Sequence, residues 1–329
     1  MIRHVAVIVG GIASLGTTPP PGQDRGPIID MHLHAYPADA QGPPPTVVCA
    51  PYDTMPSRDP RRSNDDYAVE TFKVAHCRHP IWSARSDDAL QDSSLAMLRR
   101  YDITAVTSGP LLPKWKKAGG ARIIPSLEFG LSDAPPLTTI RAMVQKGEIR
   151  MLGEITAQYE GVAPDDPRLD PYWALAEELD LPVAIHMGPG PPGAAYLGAP
   201  GYRMALSDPL LLEPVLARHP RLRISVMHAG WPLADRMIGL MYAYPQVYVD
   251  TAVIDFTQPR AEFWSYLKRL VDAGYGRRIM FGSDQMVWPD TIPVAIAAIR
   301  NAPFLSPAQK RDILHDNAAR FLRLEGARP

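Results

Sequence analysis

Eight short apolar segments alternate with amphipathic helical patterns along the chain. They are Ile28–Leu33, Ile103–Ser108, Ile123–Phe129, Met151–Thr156, Val183–Met187, Arg223–His228, Val247–Ala252 and Ile279–Ser283. Apolar strands separated by helices are typical of a parallel sheet that is covered on both faces. Eight such units predict an α/β fold, a closed (β/α)8 TIM barrel. An open doubly wound sheet would need a glycine-rich phosphate turn after the first strand, and the sequence has none there.

The barrel is predicted to occupy residues 26–329, with a long irregular insertion after the first strand at about residues 36–85. Loops of that length are usually functional or disordered. Residues 1–25 are predicted to be a signal peptide and linker, because a short basic start precedes an apolar run from Val5 to Leu15. We therefore expect export to the periplasm or the medium, with a cytoplasmic location as the alternative. No later apolar run has the length of a membrane span.

The two cysteines, Cys49 and Cys77, both lie in the insertion. Disulfides form and persist in oxidising compartments. We therefore expect these residues to pair if the protein is exported. In a cytoplasmic protein they would remain two unpaired thiols, so the expectation depends on the compartment.

The formal net charge is −1, and acidic and basic residues are mixed along the chain. Nucleic-acid-binding proteins usually carry a basic patch or stripe, and none is visible here. The charge pattern therefore favours a small-molecule substrate over a nucleic acid as partner. It leaves open whether the chain forms a homo-oligomer.

Residues that commonly bind metals recur at the carboxyl ends of the predicted strands. The first strand ends in His32 and His34, whose side chains share one side because residues two apart share a face. Later strand ends supply Glu154, His186, His228 and Asp284. Taken singly, each could be a rim carboxylate, a core histidine or a helix cap. Together they would crowd the end of the barrel where such folds carry their chemistry, and a divalent cation is the expected partner of such a buried set.

Several motifs of the chain resemble those of the amidohydrolase superfamily. They are the His-x-His pair that starts at His32, a lone His186, the His-Ala-Gly-Trp-Pro stretch from His228, the Phe-Gly-Ser-Asp stretch that ends at Asp284, and the closing segment from Asp316 to Leu322. The resemblance covers about Pro27 to Leu322. It is closest to the amidohydrolase-2 group, which also contains metal-dependent decarboxylases.

The resemblance implies roles for the residues at the strand ends. His32, His34 and His186 would bind metal. Asp284 would ligate the metal or handle a proton, and His228 would be a second-metal ligand or a catalytic acid–base. Asp284 and His228 are therefore the expected catalytic residues.

Glu154 bears on the choice between activities. Some family members have a carboxylated lysine at the end of strand four, where this chain has Glu154. Relatives with glutamate there use it to bridge two metals, whereas decarboxylases of the group usually have one metal and no such ligand. The resemblance thus favours a metal-dependent hydrolase of a small ester, lactone or amide, with one or two divalent ions, expected to be zinc. The alternatives are a metal-dependent, non-oxidative decarboxylase of an aromatic or enoic acid and a non-catalytic barrel that binds a metal or ligand.

Substrate contacts are expected from loops at the carboxyl ends of the strands. The insertion and the loop from Gly188 to Gly201 are the expected lids. Aromatic side chains give large contact areas with specific geometry, and an arginine can pair with a substrate carboxylate. The candidates are Trp231, Tyr159, Tyr196, Arg203 and Trp288.

Overall fold

The computed structural model describes residues 26–324, and eight of its strands form one parallel barrel. In chain order the strands are β1 (Ile28–His34), β2 (Val47–Cys49), β3 (Pro80–Trp82), β4 (Ile103–Ser108), β5 (Ile123–Phe129), β6 (Met151–Ile155), β7 (Val183–His186), β8 (Ile224–Met227), β9 (Val247–Asp250) and β10 (Ile279–Met280). All except β2 and β3 belong to the barrel, in the order β1-β4-β5-β6-β7-β8-β9-β10. The predicted signal peptide, residues 1–25, lies outside the described residues.

The barrel closes where the last strand meets the first. The amide of Met31 donates to the carbonyl of Phe281, and the amide of His34 donates to that of Gln285. Strand β10 is shorter than the predicted Ile279–Ser283, because the chain then leaves the ladder: Asp284 has a φ of 45° and donates its amide to the carbonyl of His32 at 2.7 Å. The architecture is a TIM barrel, which confirms the fold predicted from the sequence.

Helices occupy the connections between the strands. They are α1 (Asn64–Lys73), α2 (Asp87–Arg100), α3 (Leu112–Gly119), α4 (Leu137–Gln145), α5 (Asp170–Glu178), α6 (Glu213–Arg218), α7 (Ala234–Ala243), α8 (Ile254–Thr257), α9 (Arg260–Leu270), α10 (Thr291–Arg300), α11 (Pro307–Arg311) and α12 (Asn317–Leu322). None of the helices between residues 26 and 324 is long and apolar enough to cross a membrane.

Two apolar cores follow from the alternation of side chains along the strands. One set of strand residues, with Ile103 and Ile123 as examples, packs with the surrounding helices in the larger core. The neighbouring set, with Val106 and Ile124 as examples, forms a separate cluster with Phe321 of α12. The second cluster fills the inside of the barrel next to α12. The polar residues at the carboxyl ends of the strands therefore occupy the other end of the barrel.

The insertion is more regular than predicted. Strands β2 and β3 pair antiparallel, and α1 lies between them in sequence. The prediction missed these strands because three-residue strands are too short to show a periodic pattern. A capping box formed by Ser63 and Asp66 starts α1. The structure joins Cys49 to Cys77 by a disulfide with the Cα atoms 5.9 Å apart, which ties β2 to the segment after α1.

Candidate metal centre

The two histidines at the end of β1 converge on one point. The Nε2 atoms of His32 and His34 are 3.0 Å apart, and both rings are buried. The backbone of this segment is held in place by the closure of the barrel, since Asp284 and Gln285 bond to it. The pair therefore presents two ring nitrogens toward a shared space, as the sequence predicts.

Two carboxylate oxygens complete the group around this space. Glu154 Oε2 lies 3.4 Å from His32 Nε2 and 3.5 Å from His34 Nε2. Asp284 Oδ1 lies 3.5 and 3.2 Å from the same two atoms. Ligands of a cation bonded at about 2.1 Å are separated by roughly 3.0–3.4 Å in octahedral or tetrahedral geometry. These distances match those between ligands of one divalent cation. His32, His34 and Glu154 form a buried group that could hold an ion, and Asp284 lies beside both histidines.

The second oxygen of Glu154 faces another pair of histidines. Oε1 lies 3.9 Å from His186 Nε2 and 3.8 Å from His228 Nε2. Glu154, His186 and His228 form a second buried group that could hold an ion. One carboxylate thus has each of its oxygens turned toward a different histidine pair.

The backbone that carries Glu154 depends on Gly153. This residue has a φ of 152°, a backbone conformation that residues with a Cβ rarely adopt. A Cβ at this position would also lie 2.8 Å from the Cβ of Ala184. The register of β6 against β7 also shifts between Leu152 and Ile155. The glycine therefore allows the irregular strand end that turns Glu154 into the centre.

Hydrogen bonds to the far ring nitrogens orient three of the histidines. The carbonyl of Ala252 can only accept, so His228 Nδ1 carries the proton of their 2.9 Å bond. His186 Nδ1 lies 2.9 Å from Gln158 Oε1, and His34 Nδ1 lies 3.1 Å from Glu128 Oε2. Because each bond engages Nδ1, Nε2 is the ring nitrogen that faces the centre. Such partners commonly hold metal-binding histidines in place.

His32 lacks an equivalent bond. Its Nδ1 and Asp250 Oδ2 are both buried without a hydrogen-bond partner among the described residues, and they lie 3.9 Å apart. Asp250 Oδ1 already accepts from the amides of His228 and Ala252. The carboxylate of Asp250 therefore lies close to His32 and His228, and it groups with these two residues as a third set of metal-type ligands.

The charges of the centre are strongly coupled. Burial alone would raise the pKa of Glu154, but the neighbouring histidines, His32 first, hold it well below its usual value. The pKa of Asp284 is lowered in the same way by His32 and His34 against the effect of burial. Both groups are therefore carboxylates, and the centre has the anionic character that attracts a cation.

The surroundings shift the pKa values of His186 and His228 in opposite directions. Burial and the nearby His228 lower the pKa of His186 to about 3, so His186 is neutral. Burial also opposes the charged form of His228, but Glu154 and Asp284 outweigh it and raise the pKa to about 9. In the metal-free protein His228 is therefore protonated at neutral pH, and neighbouring carboxylates also raise the pKa values of His32 and His34 against the effect of burial.

A cavity of about 810 Å³ opens above the centre. Three of the aromatic residues proposed from the sequence line it: Tyr159, Trp231 and Trp288. Tyr159 also packs against His186, with ring centroids 4.6 Å apart. The loop from Gly188 to Gly201 and the insertion both contribute to its walls.

Two proposed substrate contacts are not on the cavity wall. The Arg203 guanidinium donates to the carbonyls of Pro200 and Tyr202, which turns it back onto its own loop. Tyr196 is 49% exposed, and Arg58 covers its ring at 4.5 Å from the centroid. Arg203 and Tyr196 therefore do not line the cavity as the structure describes it, and their contact with the substrate stays a prediction.

Sequence reasoning missed Glu128, Gln158 and Asp250. Glu128 accepts from Ser108 at 2.7 Å and from the Tyr36 hydroxyl at 3.2 Å, in addition to its contact with His34. The Tyr36 ring stacks on His34 at 4.4 Å between centroids. The available signals were weak: an acidic residue near the end of an apolar strand for Glu128 and Asp250, and none for Gln158.

Comparisons with known proteins agree with this architecture. An amidohydrolase family model, Amidohydro_2, matches residues 29–324. No curated protein gives a significant sequence match.

Solved structures match the fold at low sequence identity. A 5-carboxyvanillate decarboxylase from Novosphingobium aromaticivorans, complexed with manganese and a nitrobenzoic acid, is 17% identical, with 70% of this chain and 79% of that chain covered and a TM-score of 0.53. A 2,6-dihydroxybenzoate decarboxylase from Rhizobium is 15% identical, with 91% and 99% covered and a TM-score of 0.57. A probable 2-pyrone-4,6-dicarboxylic acid hydrolase from Acinetobacter baumannii is 14% identical, with 90% and 99% covered and a TM-score of 0.55.

At these identities the structural likeness establishes the barrel fold. The family model covers nearly the whole described chain and includes every residue of the centre. The protein belongs to the Amidohydro_2 family of amidohydrolases, and it is an enzyme of the amidohydrolase superfamily.

Proposed function

We propose that the protein is a metal-dependent hydrolase of an ester, lactone or amide. The observation that carries this proposal is the position of Glu154, whose two oxygens face two different histidine pairs. A carboxylate placed in this way suits two cations, which is the arrangement that the resemblance associates with hydrolysis. The first cation would be held by His32, His34, Glu154 and Asp284, and the second by Glu154, His186 and His228.

Zinc is the proposed metal. A set of imidazole and carboxylate ligands suits zinc, although manganese, iron and nickel also accept it. Divalent cations in such sites polarise a carbonyl oxygen and make water more acidic. Whichever metal binds, the geometry of these residues makes them a candidate centre for a divalent cation.

The side chains of the chain supply the proton transfers. Asp284 is ionised and lies at the cavity floor, so its carboxylate accepts the proton of the attacking water. The same carboxyl group then returns the proton to the departing alcohol or amine as the bond to the carbonyl carbon breaks. His228 is proposed as a ligand rather than an acid, because its Nδ1 proton is committed to Ala252 and its Nε2 faces Glu154.

A decarboxylase is the second candidate. Two of the solved structures described above are named as decarboxylases of aromatic acids, and they share the barrel fold. The histidines and Asp284 would serve a one-metal decarboxylase equally well. Glu154 is the residue that this alternative does not require.

Product analysis separates the two candidates. Metal-loaded protein is incubated with a panel of esters, lactones and amides, and separately with hydroxylated benzoic acids. We expect acid release from the esters, lactones and amides. Turnover should be lost in Asp284→Asn and retained in the surface control Asp235→Asn, because the Asp235 side chain is 83% exposed. Release of carbon dioxide from the benzoic acids, without hydrolysis, would support the decarboxylase instead.

A further inference from the structure

The charged side chains of the cavity lie at its floor, and its walls are uncharged. Around its floor the cavity is lined mostly by apolar and aromatic side chains, with Val48, Met55 and Phe72 from the insertion and Phe256 and Trp288 from the barrel loops. The polar side chains of the wall, such as Gln41 and Gln258, are uncharged. The charged lining residues, Glu154 and Asp284 with the histidines, all belong to the metal centre. Of the described residues, no lysine or arginine lines the cavity.

Three cations on the segments that form these walls donate to other partners. Arg58 of the insertion donates to the carbonyl of Arg62 and the side chain of Asn64. Lys73 donates to the carbonyls of Pro43 and Pro45. Arg203 is held by backbone carbonyls of its own loop. A negative group of a ligand would therefore meet no cationic side chain away from the floor.

The walls are also held together around the space. The Tyr67 hydroxyl of α1 donates to the carbonyl of Pro192 at 2.7 Å, which joins the insertion to the loop after β7. The disulfide between Cys49 and Cys77 closes the insertion on itself. Pockets of about 300–1,000 Å³ accommodate drug-sized ligands, so a cavity of about 810 Å³ has room for much more than the reacting carbonyl.

We propose that the substrate is an uncharged, largely apolar ester, lactone or amide whose carbonyl lies at the metal centre and whose bulk lies against the aromatic walls. This inference rests on the proposed hydrolase function and names its substrate class. In the reaction, the oxygen of water bonds to the carbonyl carbon and the bond to the leaving oxygen or nitrogen breaks. One proton of the water passes to the leaving group, and the second is lost when the product acid ionises. That second proton goes to solvent when the substrate is an ester or lactone and to the departing amine when it is an amide, and the product carboxylate forms at the floor.

A charge elsewhere on the substrate should be rejected. A carboxylate pressed against these walls loses water and gains no cationic partner, and such burial is costly. We expect a carboxylate distant from the scissile bond to lower kcat/KM at least about 100-fold. A neutral carboxamide of similar size should lower it much less.

The test compares three 4-nitrophenyl esters of 3-phenylpropanoic acid with the zinc-loaded enzyme. One is unsubstituted, one has a carboxylate at the para position of the phenyl ring, and one has a carboxamide there. Met55, which lines the cavity and is 41% exposed, is changed to arginine in one variant and to glutamine in a matched control. Met55→Arg should raise kcat/KM for the carboxylate ester at least about tenfold relative to the unsubstituted ester, and Met55→Gln should not.

The outcomes separate the substrate class from the function. If the carboxylate ester is hydrolysed as well as the unsubstituted one, the hydrolase function stands and the proposed substrate class is overturned. If no ester is hydrolysed although the metal is retained, the hydrolase function fails. In that case the substrate class is tested by thermal shift with the anilides of the same acids, which are not cleaved. A rise in Tm with the neutral anilide alone supports an uncharged substrate. An equal or larger rise in Tm with the carboxylate anilide overturns that substrate class.

Discussion

Glu128 shows how a residue outside the centre can control it. Its Oε2 receives hydrogen bonds from Ser108 and Tyr36 and lies 3.1 Å from His34 Nδ1. A carboxylate in this position fixes the orientation and tautomer of the ring and makes Nε2 a better ligand. Glu128 is therefore a positioning residue, since it acts through His34.

Replacing this carboxylate tests its role. We expect Glu128→Gln to weaken metal binding by about 10- to 100-fold, because an amide orients the imidazole less well. Competition with a chelator of known affinity measures the loss. Glu148→Gln on the surface is the matched control, and equal metal affinity in the two variants would refute a positioning role for Glu128.

His228 gives metal uptake a predictable pH dependence. In the metal-free protein burial disfavours its charged form, but Glu154 and Asp284 raise its pKa to about 9. A metal ligand must be deprotonated, so metal and proton compete for Nε2. Because the pKa is raised, the proton is present at neutral pH, and the apparent metal affinity should increase as the pH rises from about 7 to about 9.

Calorimetric titration with zinc in buffers of different ionisation enthalpy measures this effect. At neutral pH, uptake should release at least one proton per chain. Affinity that is unchanged between about pH 7 and pH 9, with no proton release, would show that His228 does not exchange a proton for the metal.

The ligand-type residues were predictable, and most of their partners were not. His32, His34, Glu154, His186, His228 and Asp284 stand at strand ends, and the barrel brings strand ends together whatever the loops do. Glu128 is 94 residues from His34 in sequence, and Gln158 is 28 residues from His186. Such pairings depend on the register of neighbouring strands, which a single sequence does not reveal. The metal-binding roles themselves stay predictions.

Among the elements, the insertion between β1 and α2 has the largest effect on the cavity. It supplies Val48, Met55 and Phe72 to the wall, yet its own secondary structure is limited to two three-residue strands and α1. Its segments are held by the disulfide and by the bond from Tyr67 to Pro192. We propose that the protein is exported, since an oxidising compartment would maintain that disulfide.

Removing the disulfide should loosen this wall. The bond closes a loop with a sequence separation of 28 residues, for which the chain-entropy model gives about 3–4 kcal/mol. In the double variant Cys49→Ser/Cys77→Ser, we expect faster proteolysis between these positions, while the barrel keeps its metal. Native protein isolated from the periplasm should contain no alkylatable thiol in mass spectrometry, and two such thiols would contradict the proposal.

Element predictions succeeded where the pattern was long and failed where it was short. Strands β4 and β5 agree with the predicted bounds, because their apolar runs of six and seven residues are unambiguous. Strands β2 and β3 have three residues each and left no periodic signal. The capping residues Ser63 and Asp66 were the local signal for α1, and a search for capping boxes would have found that helix.

In the molecule as a whole, the apolar packing and the candidate metal-binding residues occupy different parts of the barrel. Its interior is filled by an apolar cluster that includes Met151, Met227 and Phe321. The residues of the centre lie at the ends of five strands, 252 positions apart from His32 to Asp284 in sequence. The fold was predictable because eight alternating units leave few alternatives, whereas the shape of the cavity depends on loops whose conformation no periodic pattern determines.

We propose that Glu154 links two metal ions at the mouth of the barrel. The most direct test is the metal content per chain, measured by inductively coupled plasma mass spectrometry, for the wild type, Glu154→Gln and the surface control Glu148→Gln. We expect about two ions in the wild type and the control and about one in Glu154→Gln, because an amide bridges two cations poorly. One ion per chain in all three proteins would contradict it.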